Sequence, residues 1–206
     1  MRASRNLIKK RIMLDTKKVK DMYYLLRKEV VPALGCTEPI AVALAVAKAA
    51  ETWRGCAGKG KEALPDKLKI QVSLNIYKNG MGVGIPGTDM TGLYIASALG
   101  AIVGDSKKEL EVLAGVRPEH VEMARKYVEE GRISIDIKKD CNKVYAESVC
   151  EGAGHQSRAV IEAEHQNIVL VEADGKCLFS KQGGGAEAQA EEDAYNITMD
   201  EIYEFA

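Results

Sequence analysis

Apolar positions recur at helical spacing near the start of the chain. Val19, Met22, Tyr23, Leu26 and Val30 share one face, with Lys and Glu on the other, which predicts an amphipathic helix. The run from Ile40 to Ala50 is almost wholly apolar and predicts a second helix, buried on all sides and ending near Gly55. A polar loop at Gly58-Lys-Gly-Lys-Glu62 follows. Leu68, Ile70, Val72, Leu74 and Ile76 then alternate with Lys69, Gln71, Ser73 and Asn75, the pattern of a half-buried strand. Leu93, Ile95, Ala96, Leu99, Ile102 and Val103 mark another mostly buried helix. Two further helical segments are read near residues 107–114 and 118–130, the second opening with Pro118. Ile133, Ile135 and Ile137 alternate with Ser134 and Asp136, and short strands follow at 143–150, 157–164, 167–173 and 176–180. Asp174-Gly175 is a hairpin turn between the last two. Helices early and an antiparallel meander later make an α+β fold.

The two ends read differently. Residues 1–15 form a basic tail, and 16–180 a single α+β domain. The acidic, glycine-rich stretch 181–195 has the composition of a flexible linker. Thr198 and Glu201 form a capping box ahead of Ile202 and Phe205. Residues 181–206 are therefore expected to be a linker and the start of a further domain.

Composition narrows the function classes. The chain of 206 residues is 46% hydrophobic and 29% charged, with a net charge of −1, as in an ordinary globular protein. That charge, with aromatics at 5%, gives no electrostatic or stacking case for nucleic acid. The longest apolar run is too short to span a bilayer, and the basic N-terminus lacks the apolar core of a signal peptide. The expectation is a cytoplasmic protein with no membrane partner. The five cysteines, Cys36, Cys56, Cys141, Cys150 and Cys177, are odd in number and include no C-x-x-C pair. This argues against a disulfide framework and against a locally encoded zinc or cluster site.

Chemistry concentrates in three places. In Leu34-Gly-Cys-Thr-Glu-Pro39 a thiol stands where a glycine turn enters the buried helix. Thr37 or Glu38 can cap that helix, and Pro39 fits its first turn. Free amides there favour thiolate and could hold a substrate carboxylate. Cys36 is thus a candidate base, nucleophile or metal ligand, weighed evenly against a small packing cysteine. The loop Asn79-Gly-Met-Gly-Val-Gly-Ile-Pro-Gly-Thr-Asp89 places Gly80, Gly82, Gly84 and Gly87 ahead of a helix that Thr88 or Asp89 could cap. It matches neither a Walker A motif nor a dinucleotide fingerprint, and it reads as a site for a small carboxylate or amino acid. His120 and His155 read as surface residues. His165 lies with Asn167 in Glu164-His-Gln-Asn-Ile168, at a sheet end, and reads from the residues alone as a turn histidine.

Gly35-Cys-Thr-Glu-Pro39, Tyr77-Lys-Asn-Gly-Met-Gly-Val-Gly-Ile-Pro-Gly-Thr88 and His165-Gln-Asn-Ile-Val169, in this order, resemble the amino-terminal half of the L-cysteine desulfidase / UPF0597 family, related to iron–sulfur L-serine dehydratases. The resemblance runs from about residue 17 to the end. It implies an α+β domain similar to the serine dehydratase beta chain, completed by a helical cluster-binding domain or subunit that carries further cysteines for a [4Fe–4S] cluster. It implies a lyase: cluster iron binds L-cysteine or L-serine, a base removes the α-proton, sulfide or water leaves, and aminoacrylate hydrolyses to pyruvate and ammonia. Cys36 matches the family's amino-terminal functional cysteine, a cluster ligand or base. Asn79, Gly87 and Thr88 match its substrate-carboxylate loop. Thr37, Glu38, His165 and Asn167 join them as candidate substrate-binding residues.

Cys56, Cys141, Cys150 and Cys177 match no cluster ligand, so this chain alone is expected to hold no cluster and to be inactive. Two other readings compete. One is a module that binds a small amino acid or carboxylate without catalysis. The other is a packing domain that dimerises through an apolar surface.

Overall fold

A computed structural model describes residues 14–30, 32–33, 35–181 and 197–206. The predicted linker and most of the basic tail lie outside these. The described residues divide into two compact units, one built from the two ends of the chain and the other from the described residues between 32 and 181.

The first unit holds α1 (Thr16–Glu29) and α6 (Met199–Phe205). Asp15 caps α1 by accepting from the Lys18 amide at 2.7 Å. The Thr198–Glu201 capping box is formed as the sequence predicts, with Glu201 Oε2 accepting from the Thr198 amide at 2.8 Å. Tyr23 and Phe205 meet edge to face at 5.1 Å, and Lys18 pairs with Glu201. Of the predicted apolar face of α1 only Met22 is buried, while Tyr23, Leu26 and Val30 are exposed.

The second unit is a six-stranded sheet with helices packed on one face. Its strands are β1 (Lys67–Val72), β2 (Ile133–Ile137), β3 (Tyr145–Gly152), β4 (His155–Glu162), β5 (Ile168–Ala173) and β6 (Lys176–Ser180), in the order β2-β1-β3-β4-β5-β6. β1 pairs with β2 in parallel, Leu68 opposite Ile133, and every other pairing is antiparallel. The α+β class is therefore the observed one, with one parallel pair at its edge.

α2 (Thr37–Cys56) lies against β3, β4 and β5. Ile40 to Ala47, Ala49, Ala50 and Trp53 are all buried, as a helix apolar all round requires. Ser157 Oγ donates to Ala49 O at 2.6 Å and Trp53 Nε1 to Gly152 O at 2.9 Å, fixing the helix to the sheet. α4 (Leu93–Val103) packs on α2, and α5 (Pro118–Glu129) packs on α4.

Two segments differ from the sequence pattern. The alternation at 68–76 stops being a strand at Val72, because Ser73 Oγ accepts from the Ile76 amide and caps α3 (Leu74–Gly80). Leu74 is left exposed while Ile76 is buried. The helical segment near 107–114 is a short 3₁₀ stretch, Ser106–Glu111, broken by Glu109 at φ 49°. Glu51 holds its start by accepting from the Ser106 amide and hydroxyl.

The sheet face away from α2 carries a buried charge. Glu147 is 8% exposed and accepts from Arg158 Nε at 2.7 Å, Lys138 Nζ at 3.1 Å and the Tyr145 hydroxyl. Burial alone would raise its carboxyl, but these donors outweigh that and hold it at about 2. The folded value lies below the unfolded one of about 4.3, so the stabilisation is complete above that pH and is lost as pH falls towards 2. Glu147→Gln is expected to remove on the order of 2–3 kcal/mol at neutral pH and to flatten this acid limb. Urea unfolding across the acid range checks it, and a variant with an unchanged limb would contradict it.

Candidate functional site

The thiol turn and the glycine loop, 41 residues apart by the Glu38–Asn79 separation, meet in the fold. Gly35 has φ +84°, and a Cβ there would stand 2.5 Å from Pro86 Cγ. Glycine is therefore required twice over, by its backbone angle and by the close approach of the loop. Cys36 is the N-cap of α2, extended at φ −71° and ψ 135°, and its side chain does not cap the helix. The Cys36 Sγ–H donates instead to Glu38 Oε2 at 2.9 Å. Asn79, in the last turn of α3, donates from Nδ2 to Glu38 Oε1 at 3.2 Å. One carboxylate thus bridges the start of α2 and the end of α3. Thr37 takes the first helical position, half-buried.

His165 is close enough to act electrostatically on Glu38, as the least of the influences that lower it. It sits in the β4–β5 turn, and its Nε2 is buried with no hydrogen-bond partner. The Glu38 carboxyl is held below its ordinary value, first by the Cys36 thiol, against burial, with Asn79 and His165 adding to the effect. The Cys36 thiol is pushed up, first by the Glu38 hydrogen bond and then by burial. The Glu38 and Thr37 amides act in the opposite sense. The helix-start amides thus pull the thiol down, as the sequence predicts, but the adjacent carboxylate outweighs them and the net shift is upward.

Glu38→Gln is expected to shift the Cys36 thiol back down. Its alkylation by iodoacetamide, followed at the Cys36 peptide by mass spectrometry, should then accelerate at lower pH than in the wild type. An unchanged pH profile would show that Glu38 does not govern the thiol.

The other candidates are engaged elsewhere. Thr88 Oγ1 donates to Ile85 O at 2.8 Å and accepts from the Met90 amide at 3.1 Å. It staples its own loop, which closes through Ile85 N to Met90 O and Gly92 N to Val83 O, both 2.9 Å. Gly92, not Thr88 or Asp89, is the N-cap of α4. Gly87 has φ +75°, a turn requirement. Gly80 has a packing reason instead, since a Cβ there would meet Leu93 Cδ2 at 2.5 Å. Asn167 donates to Glu162 O at 2.9 Å and accepts from Lys181 Nζ. It lines a cavity of about 340 Å³ with Tyr145, Arg158 and Glu162, so its side chain belongs to the Tyr145–Arg158 face and not to the Cys36–Glu38 pair. Pro86 counts in the sequence only as one of the loop's turn residues, and its contact with Gly35 is what sequence reasoning missed. Only its place between Ile85 and Gly87, in the loop facing Gly35, could have flagged it.

The cysteines decide the fit of a [4Fe–4S] cluster, which takes about four thiolates. Cys150 is buried in the core, Cys141 Sγ donates to Lys138 O, and Cys177 is exposed on β6. Cys56 lies at the far end of α2, about 30 Å along the helix from Cys36. The described residues therefore do not fit a whole cluster, and Cys36 is the one thiol at this site. No described helix is long and apolar enough to cross a membrane.

Over 182 residues the chain is 48% identical to a UPF0597 protein of Oleidesulfovibrio alaskensis, covering 88% of this chain and 41% of that protein. It is 46% identical over 188 residues to one of Bacteroides fragilis, covering 91% and 42%. One of Porphyromonas gingivalis is 38% identical over 199 residues, covering 94% and 44%. The chain thus spans about two fifths of the length of these curated relatives. No family model matches it, and no solved structure does.

Proposed function

From the similarity to UPF0597 proteins, we propose that the chain belongs to that family and is the amino-acid-binding and proton-handling part of a lyase acting on L-cysteine or L-serine. The observation that carries this reading is the Cys36–Glu38–Asn79 hydrogen-bond chain beside an unpartnered His165 nitrogen. It couples a thiol to a carboxylate, with an imidazole near enough to act on that carboxylate through space, and such sets move protons.

The substrate ammonium pairs with the Glu38 carboxylate and displaces the Cys36 thiol from it. The freed sulfur gives its proton to water, from which the departing hydrosulfide or hydroxide later takes one, and the thiolate is then stabilised by the Thr37 and Glu38 amides, the two groups that already act on it in this sense. That thiolate takes the α-proton. The Cα–H electron pair forms the Cα=Cβ bond, and the Cβ–S pair departs with hydrosulfide, or the Cβ–O pair with hydroxide. The aminoacrylate left behind tautomerises and is hydrolysed, so L-cysteine and water give pyruvate, ammonia and hydrogen sulfide. His165 donates a hydrogen bond to the substrate carboxylate. Gly87 and Thr88 hold the loop that carries Pro86 against Gly35. No step is routed through a cluster, whose further ligands would come from the part of the relatives that this chain does not span.

The raised thiol supports a second reading, a module that binds a small amino acid without chemistry. The test is to assay pyruvate and sulfide from L-cysteine with this chain alone and with the remaining part of a UPF0597 relative supplied. The lyase reading predicts activity only in combination. Binding of the amino acid with no product in either case would favour the module.

A further inference from the structure

A second cluster of reactive side chains lies at the other end of α2. Cys56 closes that helix, His155 opens β4, and Asp174 occupies the β5–β6 turn. One donor atom from each, the Cys56 sulfur, a His155 ring nitrogen and an Asp174 carboxylate oxygen, all lie within 4.8 Å of one another. Among the described residues no other group of three metal-ligating side chains is gathered in this way.

We infer that Cys56, His155 and Asp174 form a binding site for a divalent transition metal, Zn²⁺ by their chemistry, with a fourth position open to solvent or a ligand.

Distance supports it first. Zn–S bonds of about 2.3 Å and Zn–N or Zn–O bonds of about 2.0–2.1 Å, set tetrahedrally, hold ligand atoms about 3.3–3.6 Å apart. Small rotamer adjustments close the gap from 4.8 Å, and His155 Nδ1 already stands 2.8 Å from Asp174 Oδ2. Preorganisation supports it next. The β3–β4 turn holds Ala153 and Gly154 at φ 53° and 78°, and the β5–β6 turn holds Asp174 and Gly175 at 48° and 76°. Both are tight two-residue turns of the kind that fix strand register. The two tips are tied together, because Gln156 N donates to Asp174 Oδ1 and Asp174 N donates to Gln156 O, each at 2.8 Å. The end of α2 is tied to the first tip by Trp53 Nε1 donating to Gly152 O. Cys56 Sγ rests on Trp53 O at 3.3 Å. Three anchored segments thus present the three donors together, and little order remains to be imposed on binding.

The donor set names the metal class. A thiolate with imidazole and carboxylate disfavours Mg²⁺ and Ca²⁺, which take oxygen ligands, and suits Zn²⁺. Three protein ligands are one short of a closed structural site, which leaves a position exchangeable. Cys56 also borders a cavity of about 430 Å³ lined by Lys48, Thr52 and Leu178, roomy enough for a small ligand beside the metal.

The test titrates Zn²⁺ into metal-free chain against a chromophoric chelator, and Co²⁺ as its spectroscopic substitute. One equivalent should bind. Cys56→Ser and His155→Gln should each weaken binding at least about 100-fold, and Asp174→Asn about tenfold or more. Co²⁺ should give a thiolate charge-transfer absorption that Cys56→Ser abolishes and that Cys36→Ser and Cys177→Ser leave intact. Asp174→Asn keeps the turn hydrogen bond from Gln156 and reads the site if a Cys56 variant does not fold. Binding weaker than about 100 µM, full affinity in Cys56→Ser and Asp174→Asn, or a band lost with Cys36→Ser or Cys177→Ser would each overturn the site.

Discussion

On the proposed lyase reading, Cys36→Ala is expected to lower pyruvate release, assayed with the remaining part of a UPF0597 relative supplied, by about 10³-fold while leaving L-cysteine binding within about tenfold. The reason lies in what the thiol touches. It donates to the Glu38 carboxylate and makes no side-chain cap to α2. Alanine therefore removes the proton carrier but leaves the Glu38–Asn79 hydrogen bond in place. The helix start should survive as well, with stability changed by no more than about 0.5 kcal/mol, because Cys36 is only half-buried. Comparing kcat with KM for pyruvate release, alongside a thermal melt, separates the outcomes. A fall in KM-dependent terms alone would assign Cys36 to binding, and a collapsed melt would assign it to packing.

The second large effect is structural. Gly100→Val is expected to destabilise the sheet unit by at least about 4 kcal/mol, against a total of about 5–15 for a protein of ordinary stability. A Cβ at Gly100 would lie 2.5 Å from Ala43 O and 3.0 Å from Ala43 Cα. These are backbone atoms of α2, which cannot swing aside as a side chain would. Moving α2 outward would strip its buried face from β3 and β4. A Cβ at Gly104 would likewise meet Ala47 Cβ at 2.6 Å, so α2 and α4 cross at glycine–alanine contacts. Even Gly100→Ala should destabilise by about 2–3 kcal/mol, although alanine gains about 1 kcal/mol in an open helix. Denaturant unfolding measures both, and a Gly100→Ala variant more stable than the wild type would refute the close crossing.

These residues also show where sequence reading reaches and where it stops. Ile40 to Ala50 could be read as a buried helix because nothing polar interrupts it, and the first three alternating pairs of β1 were legible for the converse reason. Leu74 and Ile76 misled because two further alternating positions also fit a helix, and the Ser73 cap settled the choice locally. The parallel pairing of β1 with β2 was not legible, since it depends on how α3 to α5 cross between them. At the site, Gly35, Cys36 and Pro39 signalled a turn into a helix through local backbone chemistry. The direction of Asn167 did not show, because side chains two residues apart in a turn need not share a face. Thr88 looked ligand-facing until its hydroxyl was found spent on Ile85 O within the loop. Cys56, His155 and Asp174 were opaque for another reason: only the fold brings a helix end and two hairpin tips together.

The most direct test of the central claim is calorimetric titration of L-cysteine and L-serine into this chain, with Glu38→Gln and Asn79→Ala beside it. A small-amino-acid site at Cys36, Glu38 and Asn79 predicts saturable binding of one equivalent, weakened about tenfold or more by each variant. Absence of binding at millimolar ligand, or binding that both variants leave unchanged, would contradict it.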